Sequence, residues 1–382
     1  MTIKNKTNKR LIYWRDRPLD VEIGLFRELS NVYSEIVIIT STNYENNRKD
    51  NNWGYNFPKN INTIYINNIS DIDHRKFIND DNLFHGITGI NNLHLKMFLS
   101  INKNFKFSIC AERPNIYGNR LKKLWMKLTR WGYYRFYFKK YRSNILCFFA
   151  MGDIGVKSYL KYGVEEKKLF PIMYTLDLHN CYSASQDLCK KNVVSIVYFG
   201  RFDDETKGLD ILRDAWSSLD YSENYQLYLA GGYGKDSKKT INWIENTKNA
   251  HYLGAWKQNE IFEKLGSYDV CIAPSRYDGW NLTPNHAIDA GNAVIISNNA
   301  GSDDLVRYAN CGIVYESSSL IHLKESILYT VNHLDKIKEW KKNSINYKQF
   351  INNEKIARYF ISALEFCKSG YNTIKPIAPW IK

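Results

Sequence analysis

Short apolar runs, each closed by a turn former such as Gly, Pro, Asn or Asp, recur along the 382-residue chain, and between them lie longer stretches whose apolar positions repeat at helical spacing. In the first half such runs predict strands at 11–14, 35–40, 63–66, 107–111, 145–150 and 169–173, with helices near 23–30, 94–102, 121–141 and 154–162. The stretch 41–62 is rich in Asn and charge and reads as a loop. Around Thr175 to Lys191 the period lapses into TLDLHNCYSASQDLCKK, a candidate linker. A second series then predicts strands at 193–200, 226–231, 251–253, 269–273, 293–297 and 312–315, again alternating with helices. The tail reads as helix to about Lys368 and ends in the apolar, proline-containing TIKPIAPWIK. Strands alternating with helices imply parallel sheets covered on both faces, so an α/β fold is expected.

A chain of this length fits two domains better than one core. The expected boundaries are 1–178 for the first domain, 179–360 for the second, and a C-terminal segment, 361–382, packing back on the first. No apolar run approaches the length of a spanning helix, and the basic N-terminal residues lead into no signal-like apolar stretch, so a cytoplasmic protein is expected. The seven cysteines are scattered and form no CxxC pair, which predicts reduced structural thiols with no zinc site. Charge is divided unevenly. Residues 1–190 hold 30 Lys and Arg against 17 Asp and Glu, so nearly all of the formal +14 lies in the first half and points to an anionic partner there.

The richest chemistry lies between Pro274 and Val306, PSRYDGWNLTPNHAIDAGNAVIISNNAGSDDLV. An apolar strand is followed by the Asp278-Gly279 turn, and a helix is expected from Thr283 as N-cap with Pro284 behind it, stopped by Gly291. A second strand then leads to another turn, with Ser302 or Asp303 as cap. Two strand-to-helix turns side by side point unpaired backbone N–H groups at an anion. Two further glycine turns follow strands, YFGRFDDETKG at 198–208 and LAGGYG at 229–234. Their glycines allow close backbone approach, and Arg201 and Lys207 supply cations for a diphosphate.

In this order, strand-GRFDDETKG, strand-AGGYG, strand-APSRYDGW and helix-AGNAVI resemble the donor half of the retaining glycosyltransferases of family four, which have the GT-B architecture of two Rossmann-like domains facing a central cleft. The segment AMGDIGVKSYLKYGVEEKKLFPIMYTLD looks like that family's approach to its linker. The resemblance thins out before about residue 100, where Trp14-Arg-Asp-Arg-Pro18 replaces the family's glycine-rich loop. It implies a nucleotide-sugar donor, UDP- or GDP-linked, and a glycan or lipid-linked acceptor of cell-surface polysaccharide synthesis. It implies no cofactor and no metal. Gly200, Arg201, Lys207 and Gly232 would line the diphosphate, Arg201 and Lys207 stabilising the leaving group. Asp278 would hold a donor-sugar hydroxyl, with the backbone of Gly279, Trp280, Asn281 and Leu282 beside it and Ser302 near the second turn. His286 stands where the family has a second acid on the ribose, and a neutral imidazole offers one acceptor where a carboxylate offers two oxygens. On the acceptor side Glu112, after the strand ending at Ala111, could position the attacking hydroxyl; His85 and His94 are weaker candidates. Plainer readings stand beside these: an ordinary Asp-Gly turn at 278, a carbonyl-satisfied His286, helix capping by Ser302, and a surface ion pair at Glu112 with Arg113.

Arg120 to Arg142 contains nine Lys or Arg, eight aromatics and no acid. Leu121, Leu124, Trp125, Leu128 and Trp131 share a helical face, continued by Tyr134, Phe138 and Tyr141. The composition fits an anionic membrane surface, aromatics packed inward beneath a solvated basic face, or RNA; an anionic membrane is the expected partner, and nucleic acid is not. Two rival functions remain open at the level of sequence. One is a metal-dependent GT-A transferase using Asp71-Ile-Asp73, and the other a basic nucleic-acid-binding protein without catalysis.

Overall fold

The computed structural model describes residues 7–16, 21–41, 58–116, 120–176, 193–220, 222–232 and 234–381. The chain forms two units: Met1–Asp177 together with Asn353–Ile381, and Leu178–Asn352. Most of the expected linker, and Arg17 and Pro18 of the segment that replaces the glycine-rich loop, lie outside the described residues. The return to the first unit begins at Asn353, the first residue of the last helix, where the sequence placed it at 361.

The first unit carries seven strands: β1 (Thr7–Arg15), β2 (Tyr33–Thr40), β3 (Ile61–Tyr65), β4 (Asp81–His85), β5 (Phe107–Ala111), β6 (Ile145–Met151) and β7 (Leu169–Ile172). They pair in the order β3-β2-β1-β4-β5-β6-β7, and every ladder is parallel. The second unit has six: β8 (Val194–Phe199), β9 (Tyr225–Ala230), β10 (Ala250–Tyr252), β11 (Val270–Ala273), β12 (Ala293–Ser297) and β13 (Gly312–Tyr315). Their order, β10-β9-β8-β11-β12-β13, is parallel throughout. In both sheets the order reverses beside the first strand, at β1/β4 and at β8/β11. At such a switch point the strand-end loops diverge and leave a crevice at the carboxyl edge, where open α/β sheets bind ligands.

Strands buried on both faces made the sequence easy to read: β5, β11 and β12 are buried at every position. The strand missed was β4. Its sequence, DNLFH, has only two strongly apolar residues between polar ends, because Asn82 works inside the unit, accepting from the Trp14 indole N–H at 2.8 Å. The helix Gly89–Ile101 likewise starts earlier than the expected His94, through the polar turn Ile-Asn-Asn.

The last helix, Asn353–Lys368, is integral to the first unit. Phe360 stacks on Phe149 of β6 with ring centroids 4.4 Å apart, Lys368 Nζ lies 2.7 Å from Asp81, and Gly24 admits Asn353 so closely that a Cβ there would stand 2.4 Å from its amide nitrogen. Asp71 and Asp73 have structural roles. The Asp71 carboxylate accepts from the amides of Asn67 and Asn68, both at 2.9 Å, and Asp73 accepts from the Arg75 amide at 3.1 Å. Each carboxylate caps a short 3-10 helix, and two parallel α/β sheets replace the single-domain GT-A alternative built on them.

Candidate functional site

Three glycine turns of the second unit are fastened together at the carboxyl edge. After β8, Asp203 caps the one-turn helix Asp204–Lys207 by accepting from the amides of Glu205 (3.0 Å) and Thr206 (3.2 Å), and Gly208 ends it at φ 68°. This explains the acid-rich DDET: it fixes the direction in which Lys207 leaves the loop. Gly208 is doubly constrained, since a Cβ would lie 2.1 Å from the Pro274 carbonyl oxygen. Across that contact the Arg276 amide donates to Thr206 O at 2.9 Å, and the Arg276 guanidinium forks onto Asp210 at 2.5 and 2.6 Å. The turn after β9 packs on the same loop. A Cβ at Gly231 or Gly234 would meet the carbonyl oxygens of Gly200 or Phe202 at 2.3 and 2.4 Å, while Gly232 sits at φ 133°.

The two turns after β11 and β12 do lie side by side. Asp278 N donates to Asn299 O, Gly301 N to Asp278 O, and Ser302 N to Trp280 O at 2.7 Å. Gly301 sits so close that a Cβ would be 2.0 Å from Gly279 O. The helix Thr283–Ala290 starts as expected, but its cap is different. Asn281, at φ 77°, accepts from the Thr283 amide at 2.9 Å through its side-chain oxygen and donates to Ser275 Oγ at 3.1 Å. Asn tolerates the left-handed region and can bond its own backbone two residues on, which Thr283 cannot do from inside the helix. Ser302 corrects the sequence reading in the same way: it makes no side-chain cap, and its hydroxyl donates to Asn281 O at 2.7 Å, tying one turn to the other.

Into this frame the structure brings Lys207 and Asp278. Their side chains form a salt bridge while remaining 21% and 19% exposed. Arg201, six residues before Lys207, is exposed and held through its carbonyl, which accepts from Tyr198 OH at 2.6 Å. Among the described residues, the amides of Gly279, Trp280, Asn281 and Leu282 have no backbone acceptor. Trp280 itself is a core residue, 1% exposed, its indole donating to Asn285 Oδ1 at 2.8 Å, so only its backbone can reach a ligand. His286 is half-buried, edge-on to Phe199 with centroids 5.7 Å apart, and Phe199 in turn lies parallel to Trp256 at 6.1 Å. His286 therefore stands against the end of β8, one residue before Gly200.

Residues 194–333 match the model of a known family, described as glycosyl transferases group 1. This segment is similar to a group 1 glycosyltransferase domain. Arg201, Lys207, Gly232, Asp278 and His286 all fall within it. A curated relative, the N,N'-diacetylbacillosaminyl-diphospho-undecaprenol alpha-1,3-N-acetylgalactosaminyltransferase of Campylobacter jejuni, is 24% identical over 165 residues. The match spans 43% of this chain and 42%, less than half, of that relative. Among solved structures, Anabaena HepE in complex with UDP superposes with a TM-score of 0.71 at 13% identity, covering 94% of this chain and 99% of the other. WaaG, a glycosyltransferase involved in lipopolysaccharide biosynthesis, gives 0.61 at 15% identity over 94% and 100%. At these identities the likeness is one of fold: two parallel α/β domains of the GT-B kind.

The carboxyl edge of the first unit is built from side chains instead of glycines. Glu22, 2% exposed, accepts from Tyr13 OH at 2.5 Å and pairs with Arg15, which is 5% exposed. His85, at the end of β4, places Nε2 3.9 Å from Glu22 and 3.5 Å from Tyr174 OH. Tyr174 donates to Glu112 Oε1 at 2.5 Å. Burial opposes the charge on Arg15, but Glu22 and the neighbouring tyrosines outweigh it and raise its pKa. Burial pushes His85 down, against the attraction of Glu22, so its imidazole is neutral at neutral pH. Glu112 thus joins a hydrogen-bonded cluster at the β1/β4 switch, and Arg113, its partner in the plainer surface reading, is itself buried. The sequence marked Glu112 and His85 but missed Tyr13, Arg15, Glu22 and Tyr174. The one available signal was Arg15, inside the segment that replaces the glycine-rich loop. His94 is elsewhere, buried in the core with Nδ1 2.9 Å from His74 Nε2 and its ring against Trp14.

Proposed function

We propose that this protein is a glycosyltransferase that moves a sugar from a nucleotide-sugar donor, UDP- or GDP-linked, to a glycan or lipid-linked acceptor in cell-surface polysaccharide synthesis, with retention and without a metal ion. The observation that carries this reading is the Lys207–Asp278 pair, set at the β8/β11 switch beside amides that have no backbone acceptor. In the proposed mechanism the donor divides the pair. The diphosphate recruits Lys207, with Arg201 arriving from the exposed loop, and the released Asp278 carboxylate accepts from a hydroxyl of the donor sugar. The amides of Gly279 to Leu282 and the start of the helix Thr283–Ala290 face the same negative charge. As the glycosidic bond to phosphate breaks, the charge that grows on the leaving diphosphate falls on these two cations, which supply what a metal would otherwise provide. His286, against Phe199, contributes a single acceptor to the ribose. On the acceptor side Glu112, oriented by Tyr174 near neutral His85, accepts the hydrogen bond of the incoming hydroxyl, whose oxygen bonds to the anomeric carbon as its proton passes to the departing phosphate oxygen on the same face.

The names of the relatives support this reading: one acts on an undecaprenol diphosphate-linked sugar, and another takes part in lipopolysaccharide biosynthesis. The test is transfer of labelled sugar from a panel of nucleotide sugars to polyprenol-diphosphate-linked and free glycan acceptors, with EDTA present. Turnover unaffected by EDTA and abolished in Asp278→Ala is expected, with the donor's anomeric configuration kept in the product. Turnover that requires a divalent ion, or that inverts the anomeric centre, overturns the corresponding part of the proposal.

A further inference from the structure

The basic aromatic segment forms one 21-residue helix, Arg120–Lys140, whose two halves behave differently. Its C-terminal half is part of the first unit's core: Tyr137 and Phe138 are buried, as is Tyr141 just beyond, and Phe138 meets Phe148 of β6 with centroids 5.6 Å apart. The outer side is apolar and uncovered. Leu121 is 79% exposed, Trp125 66%, Leu128 64% and Phe136 68%, with Leu124 and Trp131 also exposed. At about 100° per residue Leu121, Trp125, Leu128 and Phe136 lie roughly opposite the packed stripe of Tyr134, Tyr137, Phe138 and Tyr141, while Leu124 and Trp131 flank that stripe. Lys122, Lys127, Arg135, Lys139 and Lys140, all exposed, are spread among them, and the helix contains no acid. On the neighbouring helix Gly89–Ile101, whose Leu95 and Phe98 enter the same core cluster, Leu93, Met97 and Ile101 are exposed at successive turns.

Tryptophans and leucines left in water beside a dense set of lysines and arginines fit a boundary that is apolar below and anionic above. We infer that the outer face of the helix Arg120–Lys140 docks on an anionic phospholipid bilayer, its leucines and tryptophans entering the headgroup region and its cations meeting lipid phosphates. Charge complementarity selects this occupant, because the excess of positive charge falls in the first half of the chain and on this helix in particular. No helix among the described residues is long and apolar enough to cross a membrane, so the contact is one of lying on the surface. The inference does not rest on the sugar-transfer reading, since a bilayer is bound without any donor.

The experiment is flotation of the full-length chain with phosphatidylcholine vesicles, with and without phosphatidylglycerol. Binding is expected only to the anionic vesicles and should weaken with salt. Each of Lys122→Gln and Lys127→Gln should lower partitioning about five-fold. The triple variant Leu124→Ser, Trp125→Ser, Leu128→Ser should remove binding more than ten-fold while leaving the circular dichroism spectrum and nucleotide-sugar affinity unchanged. Equal partitioning of wild type and triple variant overturns the inference, and so does a Trp125-dependent dimer in sedimentation without vesicle binding. RNA bound at physiological salt by a chain that ignores anionic vesicles also overturns it.

Discussion

The two sheets share a strand order, but their carboxyl edges at the switch points are made differently. In the second unit, loops after β8, β9, β11 and β12 press backbone on backbone through glycines, leaving Arg201, Lys207 and Asp278 accessible. In the first, Arg15, Glu22, Tyr13, His85, Tyr174 and Glu112 fill the corresponding edge with hydrogen-bonded side chains. The glycine frame holds the Lys207–Asp278 pair partly exposed at its edge, whereas the side-chain cluster buries the Arg15–Glu22 pair. Under the proposed function the second edge holds the multiply charged donor and the first positions a single hydroxyl.

The sharpest way to break this contrast is to remove the buried carboxylate of the first unit. Glu22→Ala leaves the Arg15 guanidinium buried without its counter-charge and should cost about 3–5 kcal/mol. Followed by calorimetry, the first unit's transition should fall while the second unit's stays in place; a shared drop would mean that the clusters are not independent.

Acid should separate the units next. His94, held down to about 4 by burial and then by His74, is neutral in the folded state below the pH at which an unfolded histidine takes a proton. Because its folded pKa lies below the unfolded value near 6.5, the unfolded chain binds more protons between the two. Stability is then full above about pH 6.5 and declines toward pH 4, by about 3 kcal/mol from this group. His74 and His85 are lowered in the same direction. Urea midpoints of the first unit measured from pH 7.5 to 4.5 should show this slope, and His94→Gln should flatten it.

In the second unit the sensitive positions are backbone ones. Gly208→Ala, with φ 68° and the Pro274 carbonyl 2.1 Å from the new Cβ, should destabilise by about 2–3 kcal/mol and weaken nucleotide binding with it. Asn281→Ala loses the amide cap in a left-handed residue and should cost about 1–2 kcal/mol. A Gly208→Ala protein that unfolds normally would show that the β8 and β11 turns are not locked.

The same contrast explains what could be read in advance. Fully buried β11 and β12, apolar but for Ser297, and glycines at fixed distances from strand ends announce a frame made of backbone, so the second unit's turns and their adjacency were legible. Asn281 took the cap expected of Thr283 because its φ of 77° is a property of the fold, invisible in the residue string. The first unit's cluster was hidden for another reason. Tyr13, Glu22, Glu112 and Tyr174 come from distant parts of the chain, and no local period connects residues that meet only when β1, β5 and β7 enter one sheet. The basic aromatic helix offered several readings at the level of composition, and the structure divides it: its inner residues pack while its outer leucines and tryptophans stay exposed.

The central claim is that the glycine-framed edge of the second unit holds a nucleotide sugar through Arg201 and Lys207. Calorimetric titration of the full-length protein with UDP-, GDP-, dTDP- and CMP-sugars tests it most directly. One donor should bind, and the double variant Arg201→Ala, Lys207→Ala should lose that binding at least a hundred-fold with its unfolding transitions unchanged. If none of the four binds, or if the double variant binds as the wild type does, the claim is wrong.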